Sequence, residues 1–105
     1  MTAQILTQAR WRALVDGKYV VNMATGCWQW TGRTDRWGYG VVRINMGGRR
    51  RETGAHKASW IAHRGPIPGL LTVDHLCQNT LCVNPFHMEP VTNQENIRRR
   101  YQRSA

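Results

Sequence analysis

VDHLCQNTLCVNPFHMEP, residues 73–90, gathers two cysteines, two histidines, two asparagines and an aspartate into one short segment. The spacing is regular: Cys77, four residues, Cys82, four residues, His87. His75 precedes the first cysteine and falls outside that rhythm. Zinc takes four tetrahedral nitrogen or sulfur ligands, and closed sets of thiolates and imidazoles are its structural sites. Cys77, Cys82 and His87 supply three such ligands from one loop. The chain has one further cysteine, Cys27 in "TGCWQW". By elimination it completes a Cys3His set that would hold a structural Zn2+, and Asn84-Pro85 lets the loop turn between the second and third ligands. The competing reading is three buried free cysteines and a surface histidine. A zinc knuckle would need its fourth ligand close in sequence after His87, and none is there.

Working outward, the 105 residues carry 15 Lys+Arg against 6 Asp+Glu, a formal charge of +9. That length amounts to a single domain, 1–105, whose small core profits from a staple. The charge predicts attraction to a polyanion, with nucleic acid first, and a merely cationic soluble protein as the alternative. Three cysteines cannot close into disulfides among themselves. The N-terminal "MTAQILTQAR" has no long apolar run, and no segment is apolar for long enough to span a bilayer. The expectation is a protein of the reducing cytoplasm, where clustered Cys and His bind metal.

Patterning places a short helix over residues 4–15 within an N-terminal extension, 1–20. A β-hairpin region follows over 21–55, where "CWQWTGRTDRWGYGVVRINMGG" mixes aromatic and β-branched residues with glycines. Strands are expected near 27–31 and 39–45, with Arg49–Arg51 on a loop or strand start. "GAHKASWIAHRG" predicts a helix over 54–65, stopped by Gly65-Pro66, with Ala58, Ile61 and Ala62 on one face. A strand runs from Leu70 to His75, the metal loop fills 76–90, and Thr92 with Glu95 forms a capping box for a helix over 93–100. A frayed basic tail ends the chain.

Taken together, "VDHLCQN", "CVNPFHMEP" and "VTNQENIRR" resemble the HNH, or ββα-metal (His-Me finger), endonucleases, in the zinc-stapled group that includes phage-encoded and homing enzymes. The resemblance is strongest over 73–100. "GCWQWTG", "AHKASW" and "GPIP" extend it through 26–72, and it is absent from the first twenty residues. It implies an α+β fold: a ββα-metal core over 56–100, preceded by β-hairpins and stabilised by zinc.

The resemblance also implies an activity, hydrolysis of phosphodiester bonds in double-stranded DNA to give 5′-phosphate and 3′-hydroxyl ends. His75 would be the general base, since imidazole titrates near neutrality, with a backbone carbonyl holding its other nitrogen. Asp74 and Asn96 would hold a catalytic Mg2+ or Mn2+, Asn96 being preferred to Asn93 on the family match. Arg43 would clamp the scissile phosphate. Arg33, Arg36, Arg43, Arg49, Arg50, Arg51, Lys57, Arg98, Arg99 and Arg100 are the candidate nucleic-acid contacts. His56 is read as packing or support. Trp28, Trp30, Trp37 and Trp60 are read mainly as core, with base stacking as the other use. One catalytic set per chain makes nicking the elementary step of a monomer, and double-strand cutting would take a homodimer. The alternative function is a zinc-stabilised DNA-binding accessory protein without nuclease activity.

Overall fold

Among residues 7–69 and 71–104, which the computed structural model describes, the order is an α-helix, two two-stranded antiparallel ribbons, a second α-helix, a third ribbon and a last α-helix. Helix α1, Gln8–Val15, starts where the Thr7 hydroxyl accepts the Arg10 N–H at 3.2 Å. The expected turn at residues 4–6 lies outside the described residues. Strand β1, Tyr19–Val21, pairs with β2, Trp28–Trp30. Strand β3, Val41–Met46, pairs with β4, Arg49–Gly54. The expected strands at 27–31 and 39–45 therefore exist, but each finds a different partner. The Gly47-Gly48 pair explains the second ribbon: both glycines have positive φ, 58° and 81°, which a two-residue primed turn demands. Arg49–Arg51 are strand, which resolves the loop-or-strand question.

Helix α2, Ala55–Arg64, follows β4 directly and ends at Gly65. Ala58, Trp60 and Ala62 turn into the interior, and Ile61 is only half-buried. Helix α1 packs along α2. Strand β5, Thr72–His75, pairs with β6, Met88–Val91, in the register Asp74↔Glu89 and His75↔Met88. Leu70, the expected first residue of that strand, lies outside the described residues. The metal loop is thus shorter than 76–90, because its last three residues belong to β6. Helix α3, Asn93–Ser104, starts with the Glu95 N–H donating to the Thr92 hydroxyl at 3.0 Å. It runs past residue 100, where a frayed tail was expected. Glu95 pairs with Arg98 and Arg99 one turn on, which supports the helix from its exposed side.

The core joins Val15, Trp30, Val42, Ile44, Ala55, Ala58, Trp60, Val73, Val83 and Met88. Trp30 and Trp60 are core, as expected, and Trp28 stacks on Tyr19 with ring centroids 4.7 Å apart. Trp37 is the exception, 69% exposed. The Ser59 hydroxyl donates to the Val83 carbonyl, so α2 also grips the segment that carries Cys82.

Candidate metal centre and catalytic cleft

Cys27 precedes β2, Cys77 and Cys82 flank the loop after β5, and His87 closes a 3-10 turn, Pro85–His87. The Asn84 side chain shapes that turn: its Oδ1 accepts the Phe86 N–H at 2.9 Å, and its amide donates to the Gly26 carbonyl at 2.7 Å. Gly26 has φ 78°, and a Cβ there would meet the His87 ring at 3.3 Å, so a side chain would push the ligand away. Segment 81–83 docks on the free edge of β2 through Trp30 N–H to Leu81 O and Val83 N–H to Trp28 O, both 2.8 Å.

These bonds bring the ligand atoms of Cys27, Cys77, Cys82 and His87 within 4.8 Å of one another. Zn–S near 2.3 Å and Zn–N near 2.05 Å, at tetrahedral angles, put sulfur and nitrogen about 3.6 Å apart. His87 Nδ1 lies 3.6 Å from Cys27 Sγ and 3.7 Å from Cys82 Sγ. The cluster therefore has the dimensions of a tetrahedral site and can bind zinc. Its thiols are unequal before metal arrives. Burial pushes Cys82 up to about 12, and burial raises Cys77 as well. Burial also raises Cys27, but hydrogen bonds from Asn79, Thr25 and His87 outweigh it and bring that thiol down to about 6.

His75 is not part of this cluster. It ends β5, 5% exposed, and its Nε2 donates to the Cys82 carbonyl at 3.0 Å. A carbonyl can only accept, so the contact assigns the proton to Nε2 and makes Nδ1 the basic nitrogen. The His75 ring packs 4.5 Å from His56 and 6.0 Å from Tyr39. His56 and Tyr39 both line a cleft of about 480 Å³, shared with Asn96, Lys57 and Arg100. His56 is buried with its Nδ1 unpartnered, and burial first, then the charge of His75, lowers it to about 3. It is a neutral imidazole packed beside His75, in keeping with the packing or support read from sequence.

Asp74 is 5% exposed and faces Glu89 across the β5–β6 ribbon. Two carboxylates opposed in one register repel. Arg99 resolves the clash: Nη1 donates to Asp74 Oδ2 at 3.1 Å and Glu89 Oε2 at 2.9 Å, and Nε donates to Glu95 at 2.8 Å. Sequence reading placed Arg98 and Arg99 on phosphates. Here Arg98 makes a two-pronged bond to Glu95, and Arg99 serves three carboxylates. The Glu95–Arg99 spacing was a visible signal for part of this network, but its link to Asp74 and Glu89 was not visible.

The other candidate contacts scatter. Arg43 does not line the cleft; it and Arg33 approach Glu52, at 3.5 and 3.7 Å. Arg49, Arg50 and Arg51 are exposed along β4. Arg36 lies over the Trp37 ring, 4.7 Å from its centroid. Only Lys57 and Arg100, of the ten basic candidates, line the cleft. Among the described residues no helix is long and apolar enough to cross a membrane.

Comparison with known proteins supports the resemblance. Residues 53–98 match the family model described as HNH endonuclease. Protein 2.8 of Escherichia phage T7 is 37% identical over 73 residues, 70% of this chain and 48% of that protein. The uncharacterized gene 5.3 protein of Enterobacteria phage T3 is 31% identical over 62 residues, 55% of this chain and 61% of that protein. The chain thus spans about half the length of the first relative. The solved structure for DNA binding and cleavage by the HNH homing endonuclease I-HmuI aligns with a TM-score of 0.57 at 21% identity, covering 86% of this chain and 55% of that one. This likeness shows the fold: a small α+β arrangement of HNH type with β-hairpins and a Cys3His group.

Proposed function

We propose that the chain is a metal-dependent DNA endonuclease, with a structural zinc on Cys27, Cys77, Cys82 and His87 and His75 as its general base. The observation that carries the reading is the bond from His75 Nε2 to the Cys82 carbonyl. It fixes a buried imidazole in one tautomer and one orientation, the preparation a general base needs.

Asp74 and Asn96 offer hard oxygen donors on neighbouring elements, and Asn96 lines the cleft beside Thr72 and Val73. A divalent cation such as Mg2+ or Mn2+ held there would act as Lewis acid toward the scissile phosphate and the leaving 3′ oxygen. His75 Nδ1 takes the proton of the attacking water. The cleaved strand keeps a 5′-phosphate and a 3′-hydroxyl. Arg99 holds one oxygen of Asp74 and leaves the carboxylate a defined orientation. Lys57 and Arg100 draw the phosphate backbone toward the cleft, and exposed Arg49–Arg51 extend the attraction along β4. The substrate is double-stranded DNA, nicked by one chain.

Supercoiled plasmid, incubated with Mg2+ and with chelator, tests the reading. The native chain is expected to nick only with Mg2+. His75→Ala is expected to lose about 10²–10⁴-fold in rate while keeping its zinc and its duplex affinity. A variant that nicks at the native rate overturns the assignment of His75. A native chain that binds plasmid and never nicks it is an accessory protein instead.

A further inference from the structure

Of the exposed large apolar side chains among the described residues, only Trp37 lines the cleft that holds Asn96 and His56. Its exposure is built in. Asp35 Oδ1 accepts the N–H groups of Trp37 and Tyr39 at 2.9 and 3.0 Å, and the Asp35 N–H donates to the Tyr39 carbonyl at 2.8 Å. Thr80, in the metal loop, donates its hydroxyl to the Gly38 carbonyl at 2.8 Å. The turn around Trp37 is therefore pinned from its own aspartate and from the zinc-binding loop. These bonds fix the backbone that presents the indole to the cleft.

The cleft around the indole carries both signs, Asp35 and Glu52 against Lys57 and Arg100, and the cations offer phosphates their contacts. The Arg36 guanidinium sits 4.7 Å from the ring centroid, and Lys57 and Arg100 line the same cleft. A flat aromatic surface flanked by cations is what a nucleobase and its phosphates recognise together. In an intact duplex the base faces are covered by their neighbours, so an indole can reach one only by opening a step. Apolar side chains that enter between base pairs do this at a cost of a few kcal/mol of stacking.

Resting on the DNA endonuclease reading above, we infer that Trp37 is a wedge that stacks on a base beside the scissile phosphate and opens that step of the duplex. Arg36 accompanies it as the cation over the opened stack. The chain then selects deformable steps rather than a read sequence, and it favours duplexes whose step is already loosened.

The test is a binding cycle with two duplexes and three proteins, all in the His75→Ala background so that the DNA stays intact. One duplex is fully matched, and the other carries a single central mismatch. The Trp37 protein is expected to bind the mismatched duplex several-fold more tightly than the matched one. Trp37→Ala is expected to bind about tenfold more weakly overall and to lose the mismatch preference, with Trp37→Phe restoring part of both. The salt dependence stays unchanged across the series, because no phosphate contact is removed. If Trp37→Ala binds both duplexes as its parent does, or loses affinity equally for both, the wedge is refuted while DNA binding stands. If no protein binds either duplex, the DNA reading itself fails and the wedge with it.

Discussion

Stripping metal from the Cys27–Cys77–Cys82–His87 cluster is expected to unfold the chain. The ion would join two segments far apart in sequence: the entry to β2, with Cys27, and the loop between β5 and β6, with Cys77, Cys82 and His87. Without it, few bonds hold the loop on β2 and α2: the two backbone bonds at Leu81 and Val83, Asn79 to Gln29, Asn84 to Gly26, and Ser59 to Val83. Each nets about 1 kcal/mol. A domain of this size has a total stability of about 5–15 kcal/mol, and binding of a structural zinc is worth about 10–16 kcal/mol. The two are of the same size, so the metal-free chain has little or no net stability. Even a loss of only about 4 kcal/mol lowers the midpoint by about 15–30 °C in a domain this small. The assay is thermal unfolding with a chelator and a thiol reductant, followed by near-UV circular dichroism of the packed tryptophans. Elemental analysis confirms that the metal has gone. Metal-free protein that keeps its tryptophan signal and melts within a few degrees of the loaded form would refute the staple. Cys27→Ser tests the ligand assigned by elimination, and a variant that retains one tightly held zinc removes Cys27 from the set.

Arg99→Gln leaves Asp74 and Glu89 opposed without their shared cation, and nicking is expected to fall about 10–100-fold. Arg98→Gln, which loses only an exposed pair with Glu95, is expected to nick at close to the native rate; equal losses in a plasmid assay would contradict the special place of Arg99. His56 gives a pH prediction. Its folded value near 3 lies below its ordinary 6.5, so the unfolded chain binds the extra proton. The contribution is complete above about pH 6.5 and is lost as pH falls toward 3, by up to about 4–5 kcal/mol in all. Denaturant midpoints measured between about pH 5 and 7 are expected to fall less steeply for His56→Gln than for the native chain. Identical slopes would show that His56 is solvated.

The ligand set was legible because cysteine and histidine are scarce in this chain and zinc counts to four. Helix α2 was legible from its alanines and the Gly65-Pro66 stop, and α3 from Thr92 and Glu95. Pairing was less visible. Tyr19–Val21 is three residues long, and its partner is fixed only when segment 81–83 takes the other edge of β2. Strand β6 hides behind Pro90, which cannot donate to a ladder and is tolerated here because the ribbon has only two strands, both of them edges. The carboxylate network was hidden for a related reason. Asp74 and Glu89 meet only through the β5–β6 register, and Arg99 reaches both only through the way α3 lies across that ribbon. Local spacing reports what neighbours in sequence can do. These contacts belong to elements that find each other in space.

Cys82 joins the two halves of the site. Its sulfur belongs to the metal cluster, and its carbonyl holds Nε2 of His75. The peptide around Cys82 is held twice more, by its bridge to Gln29 on β2 and by the Ser59 hydroxyl on the next carbonyl, that of Val83. A peptide held at these neighbouring points makes a rigid stop for an imidazole. His75 therefore does not need a carboxylate to choose its tautomer, and Asp74, one residue earlier, pairs with Arg99. The division explains why His75 lies outside the regular spacing of the metal loop. A structural ion on His87 and the three thiols would also immobilise the backbone that orients His75. Losing that ion would, on the proposed reading, release the orientation of His75 together with the fold.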